Sequence, residues 1–366
     1  MVPDGNMLTA IRQNIDKSLE NLIEDWRKEY DLDSISPFLF ASVKDFVLRK
    51  GKRIRPLLLI LSYQGYSKKN RTLSDSIYRA STCIELLHNF MLVHDDIIDR
   101  SDLRRGKPTM HRLLKKAVKS NDPEKLGIDL GIIAGDIIYS LAIDAFLSFN
   151  ESPERMDKAL KYFIRTAAFT AMGEFVDTVN GVLPIRKISE KDVFLNYSLK
   201  TARYTFVCPL VVGALLSGAT EKEIDLLSDL GLAIGQAFQI QDDIIGVFGT
   251  QRTIGKSVLS DIEESKKTLL VYHAFQHLKG KKRREFLYYF TKDKITYKDL
   301  RNIRTIFVNA GSLHYAFQHI NQRMAKCEEI LLQLKMKSEY KKLIKESFDQ
   351  LFRETHQTAA AYQLTF

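Results

Sequence analysis

Apolar residues recur at spacings of three and four along most of this chain, and that period restricts its fold more than any other feature. In "LTAIRQNIDKSLENLIEDWRKEY", Leu8, Ile11, Ile15, Leu19, Leu22 and Trp26 fall on one stripe of an α-helix. The same period returns over 75–100, 126–149, 154–180 and 221–248, and again through the C-terminal third. No run of alternating β-branched residues suggests a strand. Connections such as "SNDPEK", "NESPER" and "NGVLPIRK" are short and rich in Gly, Pro, Asn and Ser. The expected fold is all-α, a single large helical bundle over 1–366 with its motifs on helices or at their ends.

Composition excludes several classes. The 366 residues are 45% hydrophobic and 27% charged, enough for a sizeable core, and the 8 Pro are too scattered to mark a linker. Cys83, Cys208 and Cys327 lack metal-ligand spacing, and their odd number argues against a disulfide framework, so a reducing cytoplasm is expected. No secretory leader and no transmembrane segment are expected. The longest uninterrupted apolar run, "FVCPLVVGALL", is half the roughly 20 residues a bilayer requires. A net charge of +10 favours anionic partners, but no zinc-finger, basic-zipper or RNA-recognition pattern points to nucleic acid. The Lys-rich runs "HLKGKKRREF" and "LKMKSEYKKLIKESF" read as solvated helix faces.

The stretch "VHDDIIDRSDLRRGKPT" carries the first chemistry. On a helical wheel Asp95, Asp96 and Asp99 share an arc of about 100°, which Glu85 and His88 upstream also enter. An exposed, salt-bridged face is the ordinary explanation for one Asp-Asp pair. Three co-facing carboxylates offering only oxygen ligands suit Mg²⁺ with substrate phosphates. Arg104 and Arg105 then follow on a turn that "GKP" separates from any helix, two planar forks matched to phosphate oxygens. In "AFQIQDDIIGVFG" the arrangement recurs with Gln239, Asp242 and Asp243, but position 246 is Gly. Two such motifs, on helices facing each other across a cavity, would clamp a metal–diphosphate cluster.

Cations accompany the acids. "RKGKRIRP" sets Lys52, Arg55 and their neighbours ahead of a helix-starting proline, an anion site in outline. "SLKTARYTF" carries Lys200 and Thr201, and "TIGKSVLSDIEESKKTLL" carries Lys256 and Lys266. Together these residues closely resemble the trans-isoprenyl diphosphate synthases, the polyprenyl synthetase family. Its "GKRxRP", "HDDxxD…RRGxPT", "GD" (Gly135-Asp136), "KT", "FQxxDD" and "GK…D…K(K)T" signatures occur in order from Gly51 to Thr268.

The resemblance implies the isoprenoid-synthase bundle around a central cavity, and a homodimer. It implies an Mg²⁺-dependent enzyme with three ions that condenses isopentenyl diphosphate with dimethylallyl, geranyl or farnesyl diphosphate. Asp95 and Asp99 would ligate two ions and Asp242 the third, with Asp96 and Asp243 acting through water. Lys52, Arg55, His88 and Arg105 would hold isopentenyl diphosphate. Arg104, Lys200, Thr201, Gln239, Lys256 and Lys266 would serve the allylic diphosphate. Phe90 and Met91, just ahead of the first Asp, would cap the pocket of a short-chain synthase, geranylgeranyl (C20) first and farnesyl (C15) second. On the wheel Met91 borders the acidic arc, whereas Phe90 points away from it. Gly246 departs from the usual third Asp, and others in the family tolerate that change. A terpene cyclase would carry Asn, Ser and Glu at the second motif, and a silent regulatory subunit would have lost acidic or arginine positions.

Overall fold

The computed structural model describes residues 4–67, 74–249, 260–292 and 294–353. It is built from α-helices, and its elements fall into two compact units. One holds residues 1–164, 208–224 and 335–344; the other holds 165–207, 225–334 and 345–366.

In the first unit α1 (Asp4–Glu29) buries its predicted stripe, with Leu8, Ile11, Ile15, Leu19, Leu22 and Trp26 at most 2% exposed. Burial of each such side chain contributes about 1.5–3 kcal/mol. Trp26 keeps its indole N–H satisfied on Asp144 (3.2 Å). Two short helices follow, α2 (Leu32–Ile35) and α3 (Pro37–Val47), and Ser36 caps the second through Leu39 N–H (3.2 Å). α4 (Ile54–Tyr66) packs on α10 (Cys208–Ser217), where Ser62 donates to the Leu210 carbonyl (2.6 Å). α5 (Asp75–Ile98) lies along α7 (Pro123–Leu147), with the short α6 (Met110–Leu114) against α7.

One element departs from the all-helical expectation. Leu103–Arg104 and Lys107–Pro108 form a two-stranded antiparallel hairpin, β1 and β2. Its turn places Arg105 at φ 56 and Gly106 at φ 73, and the two residues per strand are too few to show as an alternating pattern.

α8 (Pro153–Val182) runs from the first unit into the second. There the chain continues through α9 (Glu190–Tyr197), opened by a Ser189–Asp192 capping box, into a ten-residue π-helix, Ser198–Val207. π-Helices are usually a single turn and frequent at functional sites. Two glycines make room for this one. A Cβ at Gly173 of α8 would stand 2.6 Å from the Lys200 amide nitrogen, and one at Gly235 of α11 (Glu221–Phe248) would collide with Ala202. Then come α12 (Ser260–Glu263), α13 (Leu269–His277), α14 (Gly280–Tyr289), α15 (Tyr297–Asn309), α16 (Ser312–Gln333) and α17 (Ser338–Leu351). Phe206 of the π-helix packs edge-on to Phe238 and Phe348, with ring centroids 5.5 and 6.1 Å away.

Two helical stretches, Pro123–Leu147 and Glu190–Ser217, are long and apolar enough to cross a bilayer by length and composition, which a search for uninterrupted apolar runs passes over. The second is 78% buried within the fold, as core helices are; the first, 44% buried, packs on α5 and α6 along one side.

Gly235→Ala should overpack the contact between α11 and the π-helix. A loss of about 1–3 kcal/mol in urea-unfolding stability is expected, and an unchanged midpoint would refute the close approach.

Candidate active site

The first acidic motif ends α5. Asp95 and Asp99 each bring a carboxylate oxygen to within 4.8 Å of the other, with Asp99 as the helix C-cap. Asp96 turns inward and is fully buried. Arg104 of β1 clasps both neighbours, donating Nε to Asp96 Oδ1 (2.9 Å) and Nη2 to Asp95 Oδ2 (3.1 Å). Burial pushes the Asp96 carboxyl up to about 6, against the opposing pull of Arg104. Its second oxygen, Oδ2, has no hydrogen-bond partner among the described residues. The wheel's single arc therefore divides. Asp95 and Asp99 present a pair of hard oxygen donors fitting a divalent cation, while Asp96 stands behind them.

The basic loop and the hairpin are tied together. Arg49, buried, donates to the carbonyls of Arg104 (3.3 Å) and Pro108 (2.8 Å), and Arg105 Nη1 donates to the Arg49 carbonyl (3.1 Å). The Arg105 guanidinium lies 3.2 Å from where a Gly51 side chain would start, next to Lys52. A basic hollow of about 540 Å³ opens here, with Lys50, Arg105 and Lys107 in its wall. Lys52 is exposed, Arg55 half-buried and His88 buried. Burial, reinforced by Arg55 and Arg105, holds His88 well below its ordinary value, so the imidazole is neutral.

Arg53, between Lys52 and Arg55 in the same motif, carries no ligand role in the sequence reading. At φ 48 it turns inward, donating to Asp16 (2.7 Å), Glu85 (2.6 Å) and the Arg49 carbonyl (3.0 Å). Arg53 and Glu85 are both almost fully buried, so this pair anchors the loop that carries Lys52 and Arg55.

In the second unit one small cavity, about 50 Å³, is walled by Lys200, Thr201, Gln239, Asp243 and Lys266. Lys200, Thr201, Gln239 and Lys266 are the residues the motifs assign to the allylic diphosphate, and Asp243 is the one they assign to the metal shell through water. Asp177, Tyr197 and Lys267, to which the motifs assign no role, share the same wall. Lys200 is ion-paired to Asp177 (2.7 Å) and Glu174 (2.9 Å). Thr201 hydrogen-bonds Gln239, whose amide donates to Asp243 Oδ1 (3.0 Å). Tyr197 donates its hydroxyl to Asp243 Oδ2 and accepts from the Leu269 amide (2.8 Å), so one buried phenol joins α9, α11 and the start of α13. Burial and Asp243 push that phenol well above its ordinary value, which keeps it a donor. Asp243 is thus buried and hydrogen-bonded, while Asp242 is exposed. Gly246 is buried, so an Asp there would place a further carboxylate out of water. Lys266 pairs with Glu264 (2.7 Å). Lys256 lies outside the described residues.

Phe90 leaves α5 towards α7, its ring 4.8 Å from His94 and 4.9 Å from Tyr139, as the wheel required of a residue off the acidic arc. Met91 is half-buried.

Arg53→Met leaves Glu85 buried without its cation. A loss of about 3–5 kcal/mol is expected in chemical denaturation; a loss below about 1 kcal/mol, the value of an exposed pair, would show that the pair is not an anchor.

Residues 36–307 match the polyprenyl synthetase family. Over 333 residues the chain is 30% identical to geranylgeranyl diphosphate synthase of Sulfolobus acidocaldarius, covering 89% of this chain and 93% of that one. It is 29% identical to geranylfarnesyl diphosphate synthase of Aeropyrum pernix, covering 82% and 89%. The crystal structure of geranylgeranyl pyrophosphate synthase from Corynebacterium glutamicum, complexed with isoprenyl diphosphate and magnesium, superposes with a TM-score of 0.86 at 26% identity, over 94% of this chain and 98% of that one. The chain belongs to the polyprenyl synthetase family, whose members are trans-prenyltransferases.

Proposed function

We propose that this protein condenses isopentenyl diphosphate head-to-tail with an allylic diphosphate and releases geranylgeranyl diphosphate. The observation that carries the reading is the Asp95–Asp99 oxygen pair beside the arginine hairpin, in a chain whose relatives include geranylgeranyl diphosphate synthases. The whole chain, 1–366, works as one catalytic domain in the cytoplasm.

Magnesium, three ions in this reading, would be held by Asp95, Asp99 and Asp242 and would supply positive charge to the leaving diphosphate. The unpartnered Oδ2 of Asp96 suits an outer-shell water. Asp243, engaged with Tyr197 and Gln239, holds the second motif in shape and would meet the metal shell through water.

Lys200, Lys256, Lys266 and Arg104 take the allylic diphosphate, with Thr201 and Gln239 beside it. Lys52, Arg55, Arg105 and neutral His88 take the isopentenyl diphosphate. Heterolysis of the allylic C–O bond leaves positive charge on the prenyl carbons and extra negative charge on the departing group. Fixed cations aimed at that group stabilise the transition state more than the ground state. The isopentenyl double bond attacks the allylic carbon, and the C2 proton leaves to the departed diphosphate. Apolar residues keep water from the cation. Phe90, backed by Tyr139 and with Met91 beside it, limits the chain to C20; C15 is the alternative.

A homodimer is supported by apolar residues left in water. α7 exposes Ile128, Ile132 and Ile133, and α8 exposes Phe169, Met172, Phe175, Val179 and Val182 at helical spacing.

Purified protein given magnesium, isopentenyl diphosphate and each allylic diphosphate should yield a C20 product by chromatography. Asp95→Ala should lower kcat about 10²–10³-fold, in the range of other lost transition-state contacts, and chelation should abolish turnover. Turnover undiminished by either treatment would overturn the reading. Phe90→Ala should lengthen the product, and an unchanged length would remove Phe90 from the pocket's end.

A further inference from the structure

Helices α14 and α15 concentrate the positive charge of the protein. Between Lys279 and Asn309 stand ten Lys and Arg against three Asp and Glu, in a chain whose whole net charge is +10. One of the three acids, Asp299, is buried and already taken by Lys292 (2.7 Å) and by the Thr296 cap. Lys281, Lys282, Arg284, Lys294, Lys298 and Arg301 are all exposed, and none of them enters a salt bridge among the described residues.

Some exposed cations elsewhere are arranged differently. On α7 and α8, Lys125, Lys158 and Lys161 each pair with a carboxylate four residues away, at 2.5–2.8 Å. Those faces neutralise themselves, whereas the face on α14 and α15 leaves its charge for something else.

The charged face is also fixed in place. Phe286 and Phe307 are fully buried with ring centroids 5.9 Å apart, and Asn302 donates to the Tyr289 hydroxyl (3.1 Å), so α14 and α15 hold each other. Lys281, Arg284 and Tyr288 follow at i, i+3 and i+7 on α14, while Tyr297 and Arg301 are one turn apart on α15. Tyr288 and Tyr297 are 59% and 58% exposed, phenols set among ammonium and guanidinium groups.

We propose that this face docks the protein reversibly on an anionic lipid bilayer. Each Lys or Arg near such a surface contributes about 1 kcal/mol, so six together give firm but salt-sensitive attachment. Amphipathic tyrosines rest well at the boundary between headgroup and chain. The lipid surface is favoured over nucleic acid because its charge is spread laterally, as these cations are, and because the product is amphiphilic. The last point alone rests on the proposed function.

The test uses the full chain with vesicles of phosphatidylcholine, alone or mixed with phosphatidylserine. Wild type should sediment with the mixed vesicles, not the neutral ones, and should leave them as salt rises. The variant Lys281→Ser/Lys282→Ser/Arg284→Ser should bind about 10²-fold more weakly while keeping its melting temperature and its turnover of soluble substrates. Equal binding to both vesicle types, equal binding by the variant, or tighter binding to duplex RNA than to mixed vesicles would overturn the proposal. Turnover without vesicle binding sinks docking alone. Vesicle binding without turnover sinks the proposed reaction and leaves docking standing.

Discussion

A carboxylate removed from water must meet a cation or a hydrogen-bond donor, and in this protein that requirement joins segments far apart in sequence. Arg104 clasps Asp95 and Asp96 at the end of α5. Arg53 holds Glu85 and Asp16 and thereby fixes the basic loop. Lys200 meets Glu174 and Asp177, and Tyr197 meets Asp243. For Glu85, Asp96 and Asp243 the partner is expensive to remove because the carboxylate left behind stays buried. The functional groups are therefore placed by the same contacts that stabilise the fold.

This placement suits a reaction whose intermediate is a carbocation and whose leaving group is a polyanion. Such chemistry calls for no protein nucleophile. It calls for oxygen donors that gather hard cations, fixed positive groups that are not consumed, and rigid backbone beneath them. The hairpin, the π-helix and the α13 terminus supply that backbone, and hydrogen bonds from buried side chains brace each of them. Tyr197 illustrates the division of work. It acts on no charge of its own, yet it sets Asp243 and the chain following Lys266 and Lys267 in one frame.

Much of this was legible in the amino-acid order. Helix extents followed the apolar period closely, and 221–248 coincided with α11, because a stripe of three-and-four spacing can bury itself only as a helix. Candidate residues Lys200, Thr201, Gln239, Asp243 and Lys266, chosen from separate motifs, line one cavity. The inward turn of Arg53 and the bracing role of Tyr197 are not legible, for a physical reason. Arg53 is a cation among cations and Tyr197 a tyrosine on a helix, and neither type reveals whether it faces water or the interior. The π-helix was equally hidden, since its sequence is compatible with an ordinary α-helix and only packing on α8 and α11 distinguishes the two.

Local order alone determined which segments are helical, which residues can ligate a hard cation and which family the chain joins, because periodicity and motif spacing act over a few turns. Tertiary structure decided the rest. It turned Asp96 and Arg53 inward, gave Arg104 two carboxylates and Lys200 another two, and left Lys281, Lys282, Arg284, Lys298 and Arg301 exposed, outside any salt bridge among the described residues. Charge balance depends on distance in space, and no spacing along the chain can supply that.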